Sequence, residues 1–205
     1  MSGRLFVRDV QCDPTPEACS ASRMIERTLI ELEAGLKEIR RSPTDDGVLC
    51  LIVRRPAVDQ RESIETGQLD AEDGLVGDSW RARGSKRTLD GSADPAAQIT
   101  IMNTRLATLL AGSVEAAAVA GDQLYIDLDL SESALPAGTR LTLGDAVVEV
   151  SATPHTGCAK FGARFGPDAL RFVSTAEGRT MRLRGMNVRV VQGGTIRVGD
   201  RIGKF

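Results

Sequence analysis

The stretch "LYIDLDLSESALPAGTRLTLGDAVVEVSA" at residues 124–152 decides the fold. Leu124, Ile126, Leu128 and Leu130 fall on one face of an extended chain, and Tyr125, Asp127 and Asp129 on the other. That alternation predicts a half-buried strand. "TRLTLGDAVVEVSA" then reads as strand, Gly-Asp turn, strand. "GTIRVGDRI" at 194–202 repeats the pattern, and "VLCLIVRRP" at 48–56 reads as a buried strand stopped by Pro56. An apolar residue followed by Gly-Asp recurs at Gly77-Asp78, Gly121-Asp122, Gly144-Asp145 and Gly199-Asp200. Paired aspartates can bind metals, but Gly-Asp after a strand is first a turn signal. Many short strands and few helices predict a mainly β chain folded as a closed or nearly closed β-barrel.

Two stretches carry helical spacing. Ile25, Leu29, Leu32, Leu36 and Ile39 predict a helix over 23–41, capped at Ser20 or Ser22 and ended by "SPTDDG" at 42–47. Ile99, Met102, Leu106 and Leu109 predict a second helix over 98–111. Both are expected on the outside of the barrel. Residues 79–95 read as a long loop, and "GPDALRFVSTAEGRTMRLRG" at 166–185 interrupts the strands, with Asp168 a candidate helix cap. The domain reading is an N-terminal lead with an amphipathic helix over 1–41, then a barrel domain over 42–205.

Composition narrows the classes of function. The formal charge is −2 over 205 residues, which gives no drive toward nucleic acid or an anionic membrane. Positive charge rests on arginine, since the lysines are only Lys37, Lys86, Lys160 and Lys204; arginine forks suit phosphate and carboxylate. No apolar run approaches the roughly 18 to 20 residues of a membrane span. The first residues carry charges where a signal peptide needs an apolar stretch. Cys12, Cys19, Cys50 and Cys158 suggest no disulfide framework, so free thiols and a cytoplasmic setting are expected.

"PHTGCAKFGARFG" at 154–166 holds the chain's one histidine, His155, three positions before Cys158. A strand ending at Ala152 and a turn over 154–157 put Cys158 where a strand gives way to a loop. A thiol reacts as thiolate, and His155, Lys160 and Arg164 are candidates to supply the positive charge that favours it. The competing reading is a small buried hydrophobe. Four zinc ligands, a hydrolase nucleophile motif, a P-loop and a dinucleotide glycine motif are all absent from the pattern.

Together with "GLVGDSW", "GDQLYIDLDLSESALPAGTRLTLGD" and "RGMNVRVVQGGTIRVGDRI", this stretch resembles the MOSC domain, named after the C-terminal part of molybdenum cofactor sulfurases. The resemblance runs from about Ser42 to Ile202, and "TGCAKF" is its most specific part. It implies a barrel-like fold and a family cysteine, here Cys158, that carries sulfur or coordinates molybdenum in a pterin cofactor. Relatives include bacterial and eukaryotic proteins that reduce N-hydroxylated compounds. Lys160, Arg164, Arg171, Arg182 and Arg184 are the candidates for the cofactor's phosphate, Asp78 for orienting a pocket group, and His155 and Cys158 for catalysis. Many members carry a histidine soon after the first Gly-Asp; here Ser79-Trp80 follows. No ferredoxin-like cysteine cluster occurs, so electrons or sulfur are expected from a protein partner, and no pyridoxal phosphate is expected. The alternative is a non-catalytic module for a small anionic ligand or a protein partner.

Overall fold

The structure is a computed structural model and describes residues 26–205. The chain runs through α1 (Leu29–Ile39), β1 (Gly47–Arg54), β2 (Glu62–Ile64), β3 (Thr66–Asp70), β4 (Gly74–Leu75) and the single turn α2 (Trp80–Arg83). It continues through β5 (Ile99–Asn103), α3 (Thr104–Ala111), β6 (Leu124–Asp127), β7 (Arg140–Leu143) and β8 (Ala146–Val150). Then come α4 (Ala159–Phe165), α5 (Pro167–Ser174), α6 (Ala176–Thr180), β9 (Met186–Gln192), β10 (Gly194–Arg197) and β11 (Arg201–Lys204).

Seven strands close on themselves in the order β11-β7-β8-β9-β5-β6-β1, with β1 pairing back onto β11. All neighbours are antiparallel except β5 and β6. Closure removes the open sheet edges. β2 extends β1, and β10, β3 and β4 form a small second sheet. The barrel interior is aliphatic, with Leu49, Ile52, Ile101, Leu124, Ile126, Val148 and Val188 among its buried side chains. A second cluster lies between the outer barrel wall and the helices, where Leu51, Val53, Met102 and Tyr125 meet Leu32, Leu106, Phe161, Phe165 and Phe172.

That second core explains several departures from the sequence reading. The predicted helix over 98–111 divides into strand β5 and helix α3. Ile99 and Ile101 enter the barrel while Met102 and Leu106 face the helical cluster. The junction is Asn103, whose side chain accepts from Arg105 and Leu106 N–H at 2.9 and 3.1 Å as the N-cap of α3. β6 is not half-buried: Tyr125, on its expected polar face, is covered, and its hydroxyl donates to the Ala117 carbonyl at 2.8 Å. Asp168 caps, but not its own helix; it accepts from Leu29 N–H at the start of α1 at 3.0 Å. α1 begins at a Thr28–Glu31 capping box, inside the predicted 23–41. Ser20, Ser22, Ile25, Cys12 and Cys19 lie outside the described residues. No helix among the described residues is long and apolar enough to cross a membrane.

Candidate functional site

β8 ends in a loop that leads to the cysteine. Ser151 N–H donates to the Asn187 carbonyl at 2.9 Å, and Asn187 Nδ2 donates to the Thr153 carbonyl at 3.0 Å, which ties the loop to β9. Gly157 follows where a Cβ would press into Leu170 and Val173 of α5. Cys158 is the N-cap residue of α4, with extended backbone (φ −128°, ψ 169°) and a free, exposed thiol. Phe161 and Phe165, buried with ring centroids 5.0 Å apart, hold α4 against the core. The thiol thus stands in solvent on a helix whose opposite face is fixed by packing.

His155 faces inward. Its Nδ1 lies 3.4 Å from Asp122 Oδ1, and the geometry gives that buried nitrogen no hydrogen-bond partner. Asp122 is wholly buried and takes both oxygens to Arg184 Nη1, at 3.0 and 2.7 Å. The Arg184 guanidinium lies over the Phe161 ring, 4.9 Å from its centroid, a cation–π arrangement. Burial pushes the His155 imidazole down to about 4; Arg184 adds to that push, Asp122 opposes it, and Arg55 and Arg87 act with Arg184. At neutral pH His155 is therefore uncharged, with one ring nitrogen able to donate and the other able to accept. It does not supply the positive charge expected of it beside Cys158. Gly185 (φ +106°) permits this packing, because any Cβ there would strike the Ile101 carbonyl and stand 3.4 Å from His155 Nδ1.

Arginines converge on the turn at Ala120–Gly121. Arg55 Nη1 donates to the Gly121 carbonyl at 2.8 Å, and Arg164 Nη1 and Arg184 Nη2 donate to the Ala120 carbonyl at 3.3 and 3.4 Å. Gly121 has φ +90°, and a Cβ built on it would lie 3.3 Å from Arg61 Nη2 and 3.4 Å from Arg164 Nη1. Asp78 is wholly buried and grips Arg55 with both oxygens, at 2.8 and 2.9 Å, while also accepting from Arg55 and Trp80 N–H. Among the described residues, the carboxylate partner of Arg164 is the exposed Asp59 at 3.7 Å. Neither Arg61 nor Arg83 forms an ion pair with a carboxylate among the described residues, and Arg61 Nε is buried without a partner. Burial holds both guanidiniums below their usual range; Arg164 and Arg55 add to this at Arg61, and Arg55 at Arg83. The cluster carries more positive charge than its carboxylates offset. An anion is the complement it lacks.

Of the residues singled out from sequence, His155, Arg164, Arg184 and Asp78 fall in this region, and Cys158 is linked to it through α4. α4 itself carries Cys158 at its start and Arg164 near its end. Arg184 and Asp78 are engaged in buried pairs, so their first role is to hold the site together. Lys160 and Arg171 are exposed, and Arg182 is turned to the Leu130 and Leu135 carbonyls at 3.3 and 2.6 Å. Sequence reasoning passed over Arg55, Arg61 and Arg83, and read Asp122 first as part of a turn. The available signals were "RRP" at the end of β1 and a Gly-Asp turn preceding β6. No group of three or more His, Cys, Asp or Glu among the described residues is placed to hold a metal ion.

The sequence model of the MOSC domain matches residues 95–203, just over half of the chain. No curated protein sequence matches significantly. Among solved structures, the YUAD protein from Bacillus subtilis is similar, with TM-score 0.56 and 14% identity over 76% of this chain and 94% of that one. YiiM from Escherichia coli is similar with TM-score 0.51 and 17% identity over 77% of this chain and 69% of that one. At such identities these likenesses concern the fold.

Proposed function

The chain belongs to the MOSC domain family, and from that premise we propose that it binds a molybdenum-pterin cofactor, with the Cys158 sulfur as the metal's protein ligand. The observation that carries this reading is an exposed thiol at the start of α4, a helix whose far end delivers Arg164 into an arginine cluster short of negative charge. The donor set suits the group. Thiolate is a soft ligand, and a terminal phosphate calls for charge-assisted, fork-shaped donors. Arg61, Arg83 and Arg164 are the arginines of the cluster without a buried carboxylate partner among the described residues, and Arg61 Nε is an open donor. Arg55 and Arg184, locked to Asp78 and Asp122, orient the turn around which the others gather. Neutral His155 is a hydrogen-bonding wall beside them. When bound, the cofactor would supply two-electron redox chemistry, which suits reduction of N-hydroxylated compounds with electrons from a partner protein.

Elemental analysis of protein purified from a cofactor-competent host tests the reading. Near-stoichiometric molybdenum, lost in Cys158→Ser and reduced in Arg61→Gln, is the expected result. Metal-free protein with a persulfide on Cys158 would replace it with sulfur transfer. Metal-free protein with an inert thiol would leave a non-catalytic anion-binding module.

A further inference from the structure

A pocket of about 280 Å³ that shares His155 and Arg184 with the candidate site lies between the loop at 151–156 and the chain from α6 into β9. Cys158 does not line it. Its apolar surface comes from Pro154, Val173 and Met186, and its charged groups are Glu132, Arg179, Arg182 and Arg184. We propose that this pocket binds a small organic monocarboxylate, its carboxylate toward the arginines and its apolar body against Val173 and Met186.

Charge sets the valence of the ligand. Arg184 is neutralised by Asp122, and His155, which also lines the pocket, is uncharged at neutral pH. Glu132 offsets Arg182, on which it acts electrostatically. Arg179 remains, exposed and with no side-chain partner among the described residues. One net positive charge calls for one negative charge.

Unused donors point the same way. Arg184 Nε and His155 Nδ1 are buried nitrogens without hydrogen-bond partners, on two residues that line the pocket. Buried polar atoms left unpaired are rare and costly, and each calls for a bound water, ion or ligand to complete it. The backbone at Arg182 is also unusual. A non-glycine residue at φ +47° is strained, and such strain concentrates at ligand clamps. Here it holds the Arg182 side chain on the Leu130 and Leu135 carbonyls at the edge of the pocket.

Size sets the class. The volume of about 280 Å³, roughly nine waters at about 30 Å³ each, leaves room for a single-ring carboxylate such as benzoate. The pocket shares His155 and Arg184 with the cofactor reading but not Cys158, and the two readings fail separately, one on molybdenum content and the other on benzoate binding.

Calorimetric titration with benzoate, and with the uncharged isostere benzamide, tests it on the full chain. Benzoate binding at least about tenfold tighter than benzamide is expected, the scale of one charge-assisted hydrogen bond. Arg179→Gln, at an exposed position, weakens benzoate about fivefold and leaves benzamide unchanged. Glu132→Gln tightens benzoate about twofold, by removing a like charge. Lys37→Ala, an exposed change on α1, alters neither. Melting temperatures of the variants report whether each is folded. Equal binding of benzoate and benzamide, no binding of either at millimolar concentration, or indifference of benzoate to both charge changes in folded protein would overturn the proposal.

Discussion

Four Gly-Asp turns share one local geometry and divide into two pairs by surroundings. Gly77, Gly121, Gly144 and Gly199 have φ of +83°, +90°, +56° and +94°, the left-handed conformation that glycine adopts without steric cost. At Gly144-Asp145 and Gly199-Asp200 the turns meet each other, and a Cβ on Gly144 would strike the Asp200 carboxylate. Asp145 stays exposed, and Asp200 accepts locally from Arg197 N–H at 2.7 Å. At Gly77-Asp78 and Gly121-Asp122 the carboxylates are buried on arginines from distant parts of the chain. Arg55 joins the pair by holding Asp78 and the Gly121 carbonyl together. One motif therefore makes a plain turn in two places and the frame of the candidate site in the other two. What separates them is the arginine that reaches each aspartate.

Removing that difference gives the largest expected effect. Asp122→Ala leaves Arg184 buried and unpaired, a change that costs about 3–5 kcal/mol, whereas Asp145→Ala stays within about 0.5 kcal/mol. Urea unfolding of the two variants measures the contrast, and equal losses would dissolve the distinction between the pairs of turns.

The histidine beside Asp122 provides a second contrast. Its folded value near 4 lies below the ordinary 6.5. Between those values the unfolded chain binds a proton that the folded chain refuses. The stabilising contribution is therefore whole above pH 6.5 and is lost as pH falls toward 4. By pH 5 the loss amounts to about 2 kcal/mol. Unfolding at pH 7 and pH 5, compared with His155→Asn, isolates this share from the carboxylates; parallel curves would mean that the imidazole titrates normally.

Glycine replacement probes the turns directly. Gly121→Ala and Gly199→Ala both force a side chain into the left-handed region, costing about 1–2 kcal/mol. Nothing lies within 4 Å of a Cβ at Gly199, but at Gly121 it would stand against Arg61 and Arg164. Only Gly121→Ala should also weaken phosphate binding, read as the shift in melting temperature with added phosphate. The smallest effect sought is in thiol reactivity. Iodoacetamide at neutral pH should label exposed Cys158 before the half-buried Cys50 in β1, with peptide mapping as the readout. Reversed labelling would remove Cys158 from the candidate site.

The fold was legible where the signal is local. The alternation at 124–130, the Gly-Asp turns and the stripe of α1 are each complete within a few residues. The helix expected over 98–111 failed for a physical reason: Ile99, Met102, Leu106 and Leu109 fit a helical period, yet the first two are core residues of opposite faces of one strand. Tyr125 was misplaced because the helices that cover the outer wall cannot be seen from the strand itself.

The sequence alone determined the β-rich class, the turns and the Cys158 loop, because backbone preference and hydrophobic period act between near neighbours. Tertiary structure alone decided which charges are available. Arg55 meets Asp78 across 23 positions and Arg184 meets Asp122 across 62, and no local pattern encodes such pairings. Arginines that look alike along the chain become buried struts, as Arg55 and Arg184, or a half-buried cation with an open Nε and no carboxylate partner among the described residues, as Arg61. The reason is electrostatic: burial makes a partnered guanidinium structural and leaves an unpartnered one in need of an anion, and burial exists only once the barrel has closed.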